Sequence, residues 1–186
     1  MRNTLDPTRS VLVLVDYQQR LMPAIHGGER VLAEALRLAD TASALGIPVH
    51  GTEQNPRGLG PNVEAIRGRC ASTLAKMSFD GCADGLAKRL AAADGEPATD
   101  VVIAGCEAHV CLMQTALGLL REGFRVWVAT DACGSRFPSD RELALGRLEG
   151  AGAILASVEM VAFEWLRTCE HERFKAVLAI LKAPRG

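Results

Sequence analysis

Residues Asp100 to Gly123 read DVVIAGCEAHVCLMQTALGLLREG, and a change of period inside this stretch decides the fold class. Val101, Val102, Ile103 and Ala104 make an apolar run that is too short for a helix and rich in β-branched residues, which predicts a buried parallel strand. Gly105 ends it. Beyond a short turn the apolar residues fall at Val110, Met113, Leu117 and Leu120, a helical spacing that stops at Gly123. Cys111 therefore stands where a strand hands over to a helix. Unpaired backbone N–H groups and the positive end of the helix dipole collect at such a place, and both favour a thiolate. The position suits a nucleophile; it also suits a buried apolar cysteine.

The same alternation extends in both directions. Ser10 opens the apolar strand Val11 to Val15, which ends at Asp16. A carboxylate directly after such a run lies at the carboxyl edge of a parallel sheet, where open α/β folds bind ligands, although aspartate also commonly ends a strand or caps a turn. Glu29 to Leu45 is an amphipathic helix closed by Gly46. Ile47 to His50 reads as a second strand, and GTEQNPRGLGPN as a loop. A short helix at Val63 to Arg69 precedes a strand at Ser72 to Lys76. Lysine after a strand is ordinarily a solvated end. A helix at Ala83 to Ala93 leads into the polar turn Asp94 to Pro97. Downstream of the central stretch come a strand at Phe124 to Thr130, a loop at Asp131 to Arg136, a helix at Ser139 to Gly150, a strand at Ala153 to Ala156, and two helices near Val158 to Leu166 and His171 to Leu181.

Alternation of this kind predicts one α/β domain over residues 1–186, Rossmann-like, with three α/β/α layers around a mostly parallel six-stranded sheet. Its strand ends bring Asp16, Lys76 and Cys111 toward one crevice.

Composition narrows the partners. The chain has 186 residues, a formal charge of −1 and scattered rather than striped basic residues, which recommends neither nucleic acid nor an anionic membrane. No apolar run reaches membrane length and the first residues lack a signal-peptide pattern, so the cytoplasm is the expected compartment. The six cysteines form no CxxC pair and no Cys/His zinc spacing, and read as reduced thiols. A redox pair of Cys106 and Cys111 is an alternative that no resolving-cysteine motif supports.

Five segments taken in order, VLVLVDYQQRLMPAI, TEQNPRGLG, Lys76 to Phe79, GCEAHVCLMQTALGLLREG and VATDACGSR, resemble the isochorismatase-like hydrolase superfamily, in particular its cysteine hydrolases and the isochorismatase domain-containing subgroup. The resemblance implies a catalytic triad of Asp16, Lys76 and Cys111. It also implies a non-proline cis peptide at Cys106–Glu107, aiming the N–H groups of Glu107 and Cys111 at one oxyanion. Gln18, Glu53, Gln54 and His109 are candidate substrate-binding residues. Metal-binding nicotinamidases of the superfamily carry Asp-x-His plus further histidines after the second strand, and this chain reads His50-Gly51-Thr52-Glu53-Gln54 there. The expectation is no metal and no cofactor. The implied chemistry is hydrolysis of a small amide or related acyl compound, with Asp16 as general base and Cys111 as a readily alkylated thiolate. A homo-oligomer, dimer or higher, is expected. A scaffold without turnover and a metal-dependent amidohydrolase are the competing readings.

Overall fold

The computed structural model describes residues 4–91 and 99–183. Six strands, β1 (Ser10–Val15), β2 (Val49–Gln54), β3 (Ser72–Lys76), β4 (Asp100–Gly105), β5 (Arg125–Ala129) and β6 (Ile154–Ala156), form a single sheet in the order β3-β2-β1-β4-β5-β6. Every pairing is parallel, so the mostly parallel sheet expected from the sequence is wholly parallel. The helices are α1 (Gly28–Ala44), α2 (Pro56–Leu59), α3 (Glu64–Arg67), α4 (Leu86–Ala91), α5 (Met113–Arg121), α6 (Pro138–Gly150), α7 (Val158–Leu166) and α8 (Phe174–Lys182). They cover the sheet as the outer layers of an α/β/α sandwich: α1 packs with α7 and α8, and α5 packs with α6.

All six residues of β1 and of β4 are buried, as strands covered on both faces require, which is why both read as continuous apolar runs. The chain steps outward from β1 to β2 and β3, then returns to place β4 against the other side of β1. The carboxyl ends of β1 and β4 therefore bound the topological switch point, the crevice where such sheets bind ligands. Gly105 is dictated by this pairing. A Cβ there would fall 2.5 Å from both the Cβ and the carbonyl oxygen of Val15 on the neighbouring strand.

The second strand departs from expectation. It begins at Val49, not Ile47, and runs through Gln54, so Gly51 to Gln54 belongs to the sheet although the sequence reads as a loop there. Pairing with both β1 and β3 overrides the weak strand propensity of Gly, Glu and Gln. The helix expected at Ala83 to Ala93 is split: Gly81–Asp84 forms a 3-10 turn and α4 starts at Leu86. The turn expected at Asp94 to Pro97 lies outside the described residues. Trp127 is buried in the core. No helix among the described residues is long and apolar enough to cross a membrane.

Candidate active site

Asp16 is the first residue after β1 and adopts φ +56°, a left-handed conformation that aspartate tolerates better than most residues. Its carboxylate is fully buried and both oxygens are engaged. Thr52 Oγ1 donates to Oδ1 at 2.6 Å, and Lys76 Nζ donates to Oδ2 at 2.8 Å. The parallel register explains the first contact, because Thr52 lies beside Val15. Lys76 ends β3 at 1% exposure. Besides Asp16, its ammonium donates to Gln54 Oε1 at 2.7 Å and to the Ser78 carbonyl at 3.4 Å. A lysine at a strand end is usually solvated; this one is sealed in, and only a full set of acceptors makes such burial tolerable.

The third component comes from the turn after β4. The Cys106–Glu107 peptide bond is cis. Residues Ala108–Leu112 then form a wide π-helical turn that runs into α5. This turn carries Cys111 at 6% exposure, with Sγ 3.9 Å from Gln54 Oε1 and close enough to Asp16 and Lys76 for both to act on its ionisation. Cys106 points elsewhere, fully buried, with Sγ 3.8 Å from Met22 Sδ. The Glu107 carbonyl accepts from the N–H groups of Val110 and Leu112, while the Glu107 N–H has no protein acceptor among the described residues.

The expectation of a resting thiolate is corrected here. Burial, followed by the charge of the Asp16 carboxylate, pushes the Cys111 thiol up to about 12, and the opposing Lys76 ammonium does not offset them. The dipole argument from sequence fails on magnitude: Cys111 does lie in the first turn of its helix, but a helix terminus is worth only about 0.3–1 kcal/mol, whereas desolvation and a neighbouring carboxylate act directly on the sulfur. Cys111 is a protonated thiol that needs a base at the moment of reaction.

The other residues singled out from sequence separate into two groups. Gln54 joins the site, accepting from Lys76 and donating through Nε2 to the Met77 carbonyl at 2.8 Å. Gln18 is fully buried, but its amide is occupied by backbone: Nε2 donates to the carbonyls of Gln54 and Gly60, and Oε1 accepts from the Gln54 N–H. Glu53 Oε1 accepts from the Asn62 N–H at 2.9 Å. His109 faces Ser135, with Nδ1 3.0 Å from Oγ, and Asp140, with Nε2 3.8 Å from Oδ2. His50 pairs with Ser72 Oγ through Nδ1 at 2.8 Å. It sits four residues before Gln54 on β2, about 13 Å along the strand from the carboxyl edge. No group of three or more His, Cys, Asp and Glu side chains placed to hold a metal occurs among the described residues. Thr52 was missed from sequence, because threonine within a strand looks like an ordinary strand former; its place in the TEQ segment beside β1 was the available signal.

The isochorismatase domain matches residues 10–160. The chain belongs to the isochorismatase-like superfamily. It is 35% identical over 179 residues to isochorismatase domain-containing protein 2A of Mus musculus, covering 96% of this chain and 85% of that protein. Among solved structures it is similar to the MAR1 ribonuclease from Caenorhabditis elegans, with TM-score 0.90, 33% identity, and 97% and 94% of the two chains covered. It also resembles YcaC. The Escherichia coli protein, described as an octameric hydrolase of unknown specificity, aligns with TM-score 0.88, 28% identity and 97% and 90% coverage. The Pseudomonas aeruginosa protein, solved with hexane-2,5-diol and covalent acrylamide, aligns with TM-score 0.87, 26% identity and 97% and 92% coverage. The isochorismatase-like α/β fold is thus shared across the whole sheet.

Proposed function

We propose that this isochorismatase-like protein is a cysteine hydrolase of small amides or related acyl compounds, with Asp16, Lys76 and Cys111 as its catalytic residues. The observation that carries the reading is the fully buried Asp16–Lys76 ion pair beside a thiol whose ionisation responds to both charges. Asp16 removes the Cys111 proton as sulfur attacks the carbonyl carbon. The N–H groups of Glu107 and Cys111 receive the developing oxyanion. Asp16 then protonates the leaving nitrogen, and the amine departs as the thioester forms. A water molecule, deprotonated by Asp16, attacks the thioester; the acid leaves and the thiol is restored. Lys76 keeps Asp16 oriented and offsets the negative charge of the Asp–thiolate pair. Acrylamide bound covalently to the P. aeruginosa relative supports a site that admits an amide-bearing electrophile. No metal or cofactor has a part in this scheme.

The name of the worm relative suggests a ribonuclease. A near-neutral chain with dispersed basic residues favours a small molecule over a polyanion. Large apolar side chains exposed at Met160 and Phe163, together with the octamer described for the E. coli relative, support a homo-oligomer, and six free thiols suit the reducing cytoplasm.

A screen of amides, hydroxamates and nicotinamide- or pterin-like compounds tests the proposal, read by turnover and by intact-protein mass spectrometry. A substrate-derived adduct that maps to Cys111 and turnover that vanishes in Cys111→Ala are expected, with Cys106→Ala remaining measurably active. Wild-type activity in Cys111→Ala would sink it.

A further inference from the structure

Gln54 ends β2 beside Lys76, which ends β3, and the parallel register pairs the two. The residue is buried and both ends of its amide are engaged. Nε2 donates to the Met77 carbonyl, and Oε1 accepts from Lys76 Nζ. These contacts fix which way round the amide lies, because only its oxygen can receive the ammonium and only its nitrogen can meet a carbonyl. The backbone N–H and carbonyl of Gln54 are both clasped by the Gln18 amide. Main chain and side chain are thus held alike.

The same Oε1 lies 3.9 Å from Cys111 Sγ, a long S–H···O contact. Two effects on the sulfur follow. An oxygen that accepts from a thiol favours the neutral form over the thiolate. It also occupies one of the three N–H groups of the Lys76 ammonium, the others pointing to Asp16 and to the Ser78 carbonyl. A thiolate would have to compete for that cation. Asp16 and Lys76 are the charged groups that act on the sulfur, and Gln54 joins them as a neutral dipole.

We propose that Gln54 is a positioning residue of the nucleophile: its amide oxygen engages the Lys76 ammonium and the Cys111 S–H together, and so restrains the thiol until Asp16 takes its proton. The role in turnover rests on the cysteine-hydrolase reading; the restraint on the thiol does not.

Iodoacetamide alkylation of the wild type, Gln54→Met and Gln54→Glu at about pH 8.5, followed at each cysteine by peptide mapping, tests it. Sulfur displaces iodide, a C–S bond forms as C–I breaks, and the thiol proton passes to solvent. Methionine keeps the length of the side chain without the oxygen; glutamate keeps the oxygen and adds a charge. Measured against the exposed Cys169, Cys111 labelling is expected to rise about three- to tenfold in Gln54→Met and to fall comparably in Gln54→Glu. The buried Cys133 reports loosening and should stay unlabelled in both. Gln54→Asn, which draws the oxygen back by one methylene, should act as Gln54→Met does, and it decides the matter if either of the others exposes Cys133. Loosening alone would hydrate the sulfur and speed Cys111 in both variants; that result, or a Cys111 rate unmoved in Gln54→Met, would overturn the inference. On any amide that the wild type hydrolyses, Gln54→Met should lower kcat while KM changes less than about twofold, and a rise in KM alone would make Gln54 a substrate contact instead. If the thiol responds as stated while no amide is ever hydrolysed, the restraint stands and the hydrolase reading falls.

Discussion

The Lys76 ammonium lies 2.8 Å from the Asp16 carboxylate with neither side chain exposed, and the two act on the Cys111 thiol in opposite directions. Asp16→Asn removes the charge that raises the thiol and leaves the one that lowers it, so thiolate becomes the natural counter-ion of Lys76. Alkylation of Cys111 at pH 8 is expected to accelerate roughly tenfold or more, while hydrolysis of any substrate falls by roughly a thousandfold for want of a base. Peptide mapping and turnover on one preparation read both. Slower alkylation in the variant would remove Asp16 from the environment of the thiol.

In the unmodified protein at neutral pH, dilute iodoacetamide is expected to mark Cys169 before Cys111. A thiol held protonated to about 12 presents little thiolate, and Cys169 is the exposed cysteine of the six. Time-resolved mapping that finds Cys111 labelled first would contradict the burial argument.

Lys76→Met strands a buried carboxylate. The expected loss is about 3–5 kcal/mol in urea unfolding, because a sealed charge loses its partner. Adding Asp16→Asn should recover most of it, since the double variant buries no charge. Additive losses would mean that the two side chains are not coupled.

Alkali should unfold this protein through its cysteines. Burial raises Cys70 to about 11 and Cys82 and Cys133 to about 12, as it does Cys111. Above about pH 9 the unfolded chain releases thiol protons that the folded protein keeps. The folded state then holds more protons, so stability that is complete below pH 9 is lost as pH climbs toward 12. For Cys133, which is fully enclosed, the contribution is a slope of about 1.4 kcal/mol per pH unit. Chemical denaturation of Cys133→Ala between pH 9 and 11 should show that slope removed.

Gly105→Ala places a methyl group 2.5 Å from the Val15 carbonyl oxygen on the central strand pair. Backbone cannot yield as a side chain can, and a destabilisation of about 3 kcal/mol is expected, read as a fall in Tm. Gly123→Ala, with nothing within 4 Å but φ +88°, should cost less, about 1 kcal/mol.

The sheet was readable from sequence wherever strands are buried on both faces, because uninterrupted Val, Leu and Ile at Val11 to Val15 and Val101 to Ala104 admit few other structures. β2 was readable only at Val49 and His50, the first two of its six residues. Gly51, Thr52 and Gln54 are held in the strand by pairing with β1 and β3, and Thr52 and Gln54, which make polar contacts in the site, carry no apolar period. Asp16, Lys76 and Cys111 could be named as candidates because Asp16 follows one strand, Lys76 ends another and Cys111 lies in the turn after a third, each in a recognisable motif. The consumption of the Gln18 amide by backbone could not, since an amide looks the same in sequence whether it faces a ligand or a carbonyl. The ionisation of Cys111 was misjudged for want of one quantity, the depth at which its sulfur lies.

One consequence follows from the closure of the ion pair against solvent. Carboxylate, ammonium and neutral thiol sum to zero, and they still sum to zero after a proton has hopped from sulfur to oxygen. A cavity of low polarisability therefore never has to host an excess of either sign while its proton is redistributed, and no ion need cross its walls to keep the books even.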